Sequence, residues 1–129
     1  MQDCRVLLVD EHVPIRAALR KLLIAYHDVK IVGEASDGQE AIALIASCQP
    51  NVILMDIKMP KMNGIEATAL ITKSWKEVII IGVCALEDPH DTEAILKAGA
   101  VAVISKHHLD RLYDTLQRAC AKRPVSASA

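Results

Sequence analysis

Phenylalanine is missing altogether, and Tyr26, Trp75 and Tyr113 are the only aromatic residues among 129. Three scattered rings are too few for a base-stacking platform or a sugar-binding cleft. An excess of charge of one sign is also lacking. The net charge is −1 and the pI about 6.5, which removes the global electrostatic argument for nucleic acid. Long apolar runs are absent near the N-terminus, where Val6–Val9 is the longest and is far too short for a secretory signal or a membrane span. Cysteine occurs four times, at Cys4, Cys48, Cys84 and Cys120, with no Cys-x-x-Cys pair. Without a secretory signal, these thiols are expected to be reduced and to act as small apolar fillers in a cytoplasmic chain that avoids membranes.

What the chain does have is core-forming material. Hydrophobic residues make up 52% and charged residues 24%, a balance that builds one globular domain rather than a disordered tail. Five β-type runs are expected, at 5–9, 29–34, 51–55, 78–83 and 101–105. Most are near-continuous Val, Ile and Leu, as a sheet covered on both faces requires. Helical stripes alternate with them: Ile15, Ala18, Leu19, Leu22 and Leu23; then Ala41, Leu44, Ile45 and Cys48; later Leu109, Leu112, Tyr113, Leu116 and Cys120. Pro14 suits a first helical turn, Asp88-Pro89 starts another helix, and Gly99 closes it. Short connections between alternating strands and helices predict parallel pairing and a doubly wound α/β sheet with helices on both sides. Residues 1–121 are expected to form this domain. The stretch 122–129 (KRPVSASA) loses apolar periodicity and reads as a linker or tail, the place where a longer natural chain was cut.

In such sheets, ligands bind beyond the carboxyl ends of the strands. Asp10 and Glu11 follow the first predicted strand, Asp56 ends the third, and Lys106 follows the fifth. Any one of these acids could be a helix cap or turn former, and Lys106 alone could be a solvated lysine. Their joint placement at strand ends points to chemistry instead. Clustered carboxylates repel one another unless a cation sits among them, and hard oxygen donors with open positions suit Mg²⁺. Asp56, at the tip of the apolar run VILMD, is the natural nucleophile to become an aspartyl phosphate, with Lys106 as a second positive charge.

At these residues the chain resembles the receiver domain of two-component response regulators, the CheY-like superfamily, over nearly all of residues 4–120. The matching motifs are Val-Asp-Glu-His at 9–12, Gly-Glu-Ala-Ser-Asp-Gly at 33–38, Met-Asp-Ile-Lys-Met-Pro at 55–60 with Asn63-Gly64, and Ala98-Gly99-Ala100 followed by Lys106. The pattern is most like the NarL/LuxR-type class. The resemblance implies a (βα)5 three-layer sandwich whose five-stranded parallel sheet runs in the flavodoxin-like order 2-1-3-4-5. It also implies that Asp56 accepts a phosphoryl group from a sensor histidine kinase. Asp10, Glu11, Asp56 and the backbone carbonyl of Lys58 would hold Mg²⁺, and Lys106 would contact the phosphoryl group. Members of the class usually carry a C-terminal helix-turn-helix DNA-binding domain, absent from this chain, and the resemblance makes homodimerisation plausible.

Four positions depart from the family pattern. Glu11 stands for the more usual second Asp, Cys84 for the Ser or Thr that ends the fourth strand, Val103 for a Tyr or Phe, and His107 for a proline. A thiol is a weak donor, so one hydrogen bond to a charged acceptor, worth about 1.5–3 kcal/mol, is largely lost at Cys84. Phosphate acceptance with weakened or rewired coupling to the surface around the fourth helix, fifth strand and fifth helix is therefore expected. The bland reading has Cys84 and Val103 simply repacking.

The expected function is a signalling phosphoacceptor, a switch rather than a metabolic enzyme, taking part only in its own phosphoryl transfer and hydrolysis. The alternative is a degenerate receiver that works as a phosphorylation-independent interaction module. A phosphotransferase with an aspartyl nucleophile would need a second Asp two residues on, where this chain has Lys58, and a flavin carrier would need a phosphate loop where it has Asp-Glu-His-Val-Pro. Arg16 and Arg20 are expected to form a solvated face, Met55, Met59 and Met62 to be packing filler, and the five histidines to show no helical metal-ligand spacing.

Overall fold

A computed structural model describes residues 4–85 and 88–121. Its strands are β1 (Cys4–Val9), β2 (Val29–Ala35), β3 (Val52–Asp56), β4 (Ile79–Cys84) and β5 (Ala102–Ser105). Its helices are α1 (Val13–Leu23), α2 (Gly38–Cys48), α3 (Gly64–Ser74), α4 (Pro89–Ala98) and α5 (Leu112–Ala121), the last preceded by a 3-10 turn at Leu109–Arg111. The sheet is parallel throughout, in the order β2-β1-β3-β4-β5. Each strand lies within two residues of its expected bounds. Val101, expected to open β5, is left exposed outside it.

The continuous apolar runs are explained by two cores, one on each face. Val6 and Leu8 of β1 join Leu54, Ile81 and Ile104 beneath Leu19 and Leu23 of α1 and Leu112 and Leu116 of α5. Leu7 and Val9 point the other way, with Ile53, Met55 and Ile80, against Ala41 and Ile45 of α2, Ile71 of α3 and Ile95 of α4. A period of two thus distributes every second residue to each core, and no polar face is left on the central strands.

Caps fix where the helices begin. The Asp37 carboxylate accepts from Glu40 N–H at 2.9 Å, Asn63 and Glu66 form a reciprocal capping box, and Asp88 accepts from His90 N–H at 2.9 Å ahead of Pro89. Gly99 ends α4 at φ +124°, where an added Cβ would also strike the Thr72 side chain.

The cysteine expectation is corrected at the bottom of the sheet. Cys4 and Cys120 are paired as a disulfide, with Cα atoms 6.9 Å apart. The first residue of β1 and the last turn of α5 share one face of the sheet, which their separation of 116 residues hides. Among the described residues no helix is long and apolar enough to cross a membrane. The linker reading of 122–129 lies outside the described residues.

Candidate functional site

Parallel pairing brings the ends of β1, β3 and β5 to one rim. Asp10 follows β1 and is 1% exposed, and Asp56 closes β3 at 3%. The Lys106 ammonium, 9% exposed, lies 2.9 Å from Asp10 Oδ2 and 3.4 Å from Asp56 Oδ1. Its backbone N–H donates to the Cys84 carbonyl at 2.8 Å, tying the lysine to the end of β4. Two acids and one base therefore share a buried space. Among the described residues neither Asp10 Oδ2 nor Asp56 Oδ2 accepts a hydrogen bond, so the lysine meets Asp10 as an ion pair without hydrogen-bond alignment. Burial, and then the Asp10 charge, push the Asp56 carboxyl from 3.8 up to about 6, with Lys106 pulling it back.

The backbone around the acids is held from several sides. Asp10 Oδ1 accepts from His12 N–H at 2.8 Å, and the Arg16 guanidinium donates to the Asp10 carbonyl at 2.6 Å. Arg16 and Arg20 both grip Glu34 at the end of β2, at 3.0 and 2.9 Å. This corrects the solvated-face reading for Arg16, which is only 17% exposed because β2 lies beside β1 and carries Glu34 over α1, while Arg20 stays on the solvated face at 49%. On the other side Gly64 N–H donates to the Ile57 carbonyl at 2.8 Å, and a Cβ at Gly64 would collide with the Asp56 carbonyl. That close approach requires the glycine after Asn63.

A cleft of about 270 Å³ opens above the acids, lined by Glu11, His12, Asp56, Lys58, Cys84 and Lys106, with Asp88 and Asp91 at its α4 side. Glu11 stands at its mouth, 37% exposed, with Oε1 4.0 Å from His12 Nε2. Among the described residues, the donors that gather within 4.8 Å belong to Asp10, His12 and Asp56. His12 escaped the sequence reading, which sought paired helical histidines. It is the N-cap of α1 but makes no side-chain cap bond, so its ring is available beside Asp10, with Nδ1 3.3 Å from Oδ1. The Lys58 side chain extends outward to Asp91 at 3.6 Å and links the β3–α3 loop to the first turn of α4.

Cys84 ends β4 as counted, is buried, and pairs in register with Ser105 of β5. It belongs to the same core as Val103, which packs against that core half-buried. A second cleft, of about 600 Å³, lies between α4 and β5 and is lined by both, with Leu96, Thr92 and Ser105. Met55 is fully buried, and Met59 and Met62 pack against the same core, as filler would.

Comparison with known proteins adds a consistent result. The response regulator receiver domain family matches residues 6–117. The chain is 39% identical over 102 residues to the transcriptional regulatory protein LiaR of Bacillus subtilis, covering 79% of this chain and 48% of that one. It thus spans about half the length of that curated relative. The crystal structure of the response regulator domain of Thermotoga maritima CheB superposes with a TM-score of 0.87 at 32% identity, covering 95% of this chain and all of that one. The signal receiver domain of the putative response regulator NarL from Mycobacterium tuberculosis gives 0.80 at 27% identity, over 91% of this chain and 98% of that one.

Proposed function

The chain belongs to the response regulator receiver domain family, of the NarL/LuxR type, and from that premise we propose that Asp56 takes a phosphoryl group from the phosphohistidine of a sensor histidine kinase. The observation that carries this reading is Asp56 itself: a carboxylate buried at the end of β3, lining a cleft, with one oxygen that accepts no hydrogen bond. The carboxylate attacks phosphorus, the kinase imidazole leaves, and an aspartyl phosphate forms. Lys106 neutralises part of the added charge from beside both aspartates.

The donor set fits a divalent cation. Two buried carboxylates that share a single ammonium, one of them held protonated to unusually high pH, are what such an ion would relieve. Asp10 and Asp56 would hold Mg²⁺, with Glu11 and the Lys58 carbonyl completing the protein ligands and His12 as a further candidate. When bound, the ion supplies charge neutralisation for the phosphoryl oxygens.

In this reading the domain is a cytoplasmic signalling module of a longer transcriptional regulator, consistent with relatives of which the match covers about half. Its output is a helix-turn-helix domain beyond this chain, and homodimerisation runs through the α4–α5 face. Cys84 and Val103 supply neither the hydroxyl nor the ring usual at their positions, so the response at that face is weakened. A degenerate, non-phosphorylated receiver has no specific observation in its favour.

Intact mass after incubation with acetyl phosphate and Mg²⁺ tests the proposal. The wild type should gain one phosphoryl group (~80 Da) and Asp56→Asn should gain none. A folded wild type that gains nothing, or a variant that gains as much, would sink it.

A further inference from the structure

The end of the sheet opposite the acidic rim carries a second chemistry. Cys4 opens β1 and Cys120 lies in the last turn of α5, and the fold pairs their sulfurs across 116 residues of sequence. Independent contacts bring the two elements together. The Cys4 N–H donates to the Asp28 carbonyl at 2.8 Å, while both oxygens of the Asp28 carboxylate accept from the Tyr113 hydroxyl, at 2.9 and 2.8 Å. Gln117 adds a bond to the same hydroxyl at 2.8 Å, and the Tyr113 ring stacks on Tyr26 with centroids 3.5 Å apart. One residue, Asp28, therefore holds the strand by its backbone and the helix by its side chain. Tyr113 precedes Cys120 by two helical turns, so both lie on the face of α5 that meets this corner. These bonds hold the start of β1 and the last turns of α5 together independently of the sulfurs.

We propose that Cys4 and Cys120 form a thiol–disulfide exchange site that reacts with a low-molecular-weight disulfide of the oxidised-glutathione type and clamps the last turn of α5 to the start of β1. The half-buried Cys120 is the reachable partner, since Cys4 is buried. The Cys120 thiolate attacks one sulfur of the reagent, which leaves as one thiolate and forms a mixed disulfide. The Cys4 thiolate then attacks Cys120 Sγ and expels the second thiolate. Two protons pass from the cysteines to the released thiols, and two electrons pass from the protein to the reagent. Because the pair closes a loop spanning nearly the whole domain, the oxidised form loses much of its unfolded-state freedom. Cys48, in the last turn of α2, and Cys84, at the end of β4, stand on other elements and serve as internal controls. The proposal is independent of phosphoryl transfer at the opposite rim.

The full chain, first reduced and then equilibrated in glutathione redox buffers, should lose ~2 Da rather than gain glutathione, and a proteolytic digest should yield a peptide linking 4 to 120. Melting should rise by about 5 °C or more on oxidation. Cys120→Ser should abolish both the link and the rise, and Tyr113→Phe should slow closure at least about threefold by loosening the corner. Stable glutathione adducts on Cys4 or Cys120, a link through Cys48 or Cys84, or a reduced chain under oxidising buffer would each overturn it. So would a linked form with unchanged melting temperature.

Discussion

The two ends of the sheet are built by opposite rules. At the lower end Asp28 is satisfied from both sides, by Tyr113 and by the Cys4 amide, and the sulfurs are joined. At the upper end Asp10 and Asp56 are more deeply buried, yet each keeps an oxygen with no hydrogen bond, and a single ammonium serves both. The lower end stabilises the fold. The upper end gives up stability for a poorly paired carboxylate, the arrangement that the proposed cation and phosphoryl group would use.

Removing Lys106 should sharpen this contrast most. Lys106→Met leaves two buried carboxylates without their counter-charge, and a loss of about 3 kcal/mol is expected in denaturant melts at neutral pH. Phosphorylation by acetyl phosphate should slow by about 100-fold in the same variant. A variant as stable as the wild type would mean that the ammonium is incidental. Arg16→Ala comes next, at about 1–2 kcal/mol, since it frees the Asp10 carbonyl and one grip on Glu34. Tyr113→Phe should lower the melting temperature and leave phosphorylation untouched, separating the two ends. A slowed phosphoryl transfer in that variant would show them coupled. His12→Ala should change stability by no more than about 0.5 kcal/mol, because the ring makes no cap bond. Titration with Mn²⁺ should nevertheless weaken more than titration with Mg²⁺, since imidazole suits the former better. Equal weakening would remove His12 from the ligand set.

The fold was legible because both faces of the central strands are covered, so that each strand reads as an unbroken apolar run while its residues alternate between two cores. Asp10, Asp56 and Lys106 were legible for a related reason: parallel strands all present their carboxyl ends to one rim, so position after a strand was enough to place them. Arg16 was not, because its partner Glu34 becomes a neighbour only through the register of β2 on β1. His12 was hidden by spacing, since its co-donors come from the rim rather than from its own helix. The Cys4–Cys120 pair was hidden by chain separation, and composition alone favoured free thiols.

The most direct test of the upper end is its pH dependence without metal. In the fold Asp56 titrates near 6 rather than 3.8, so the native chain holds a proton that the unfolded chain has released across that interval. The unfolded state then binds fewer protons, and stability must fall as pH rises from about 4 to about 6. Asp56→Asn cannot titrate and should escape this loss. Melts of both proteins from pH 4 to 7.5 in chelator should show the variant gaining on the wild type through that window, by roughly 2–3 kcal/mol at the top. Added Mg²⁺ should stabilise the wild type above pH 6 and close much of the gap. A difference independent of pH, or a variant that loses ground as pH rises, would contradict the claim that Asp56 is held in the fold at the expense of stability.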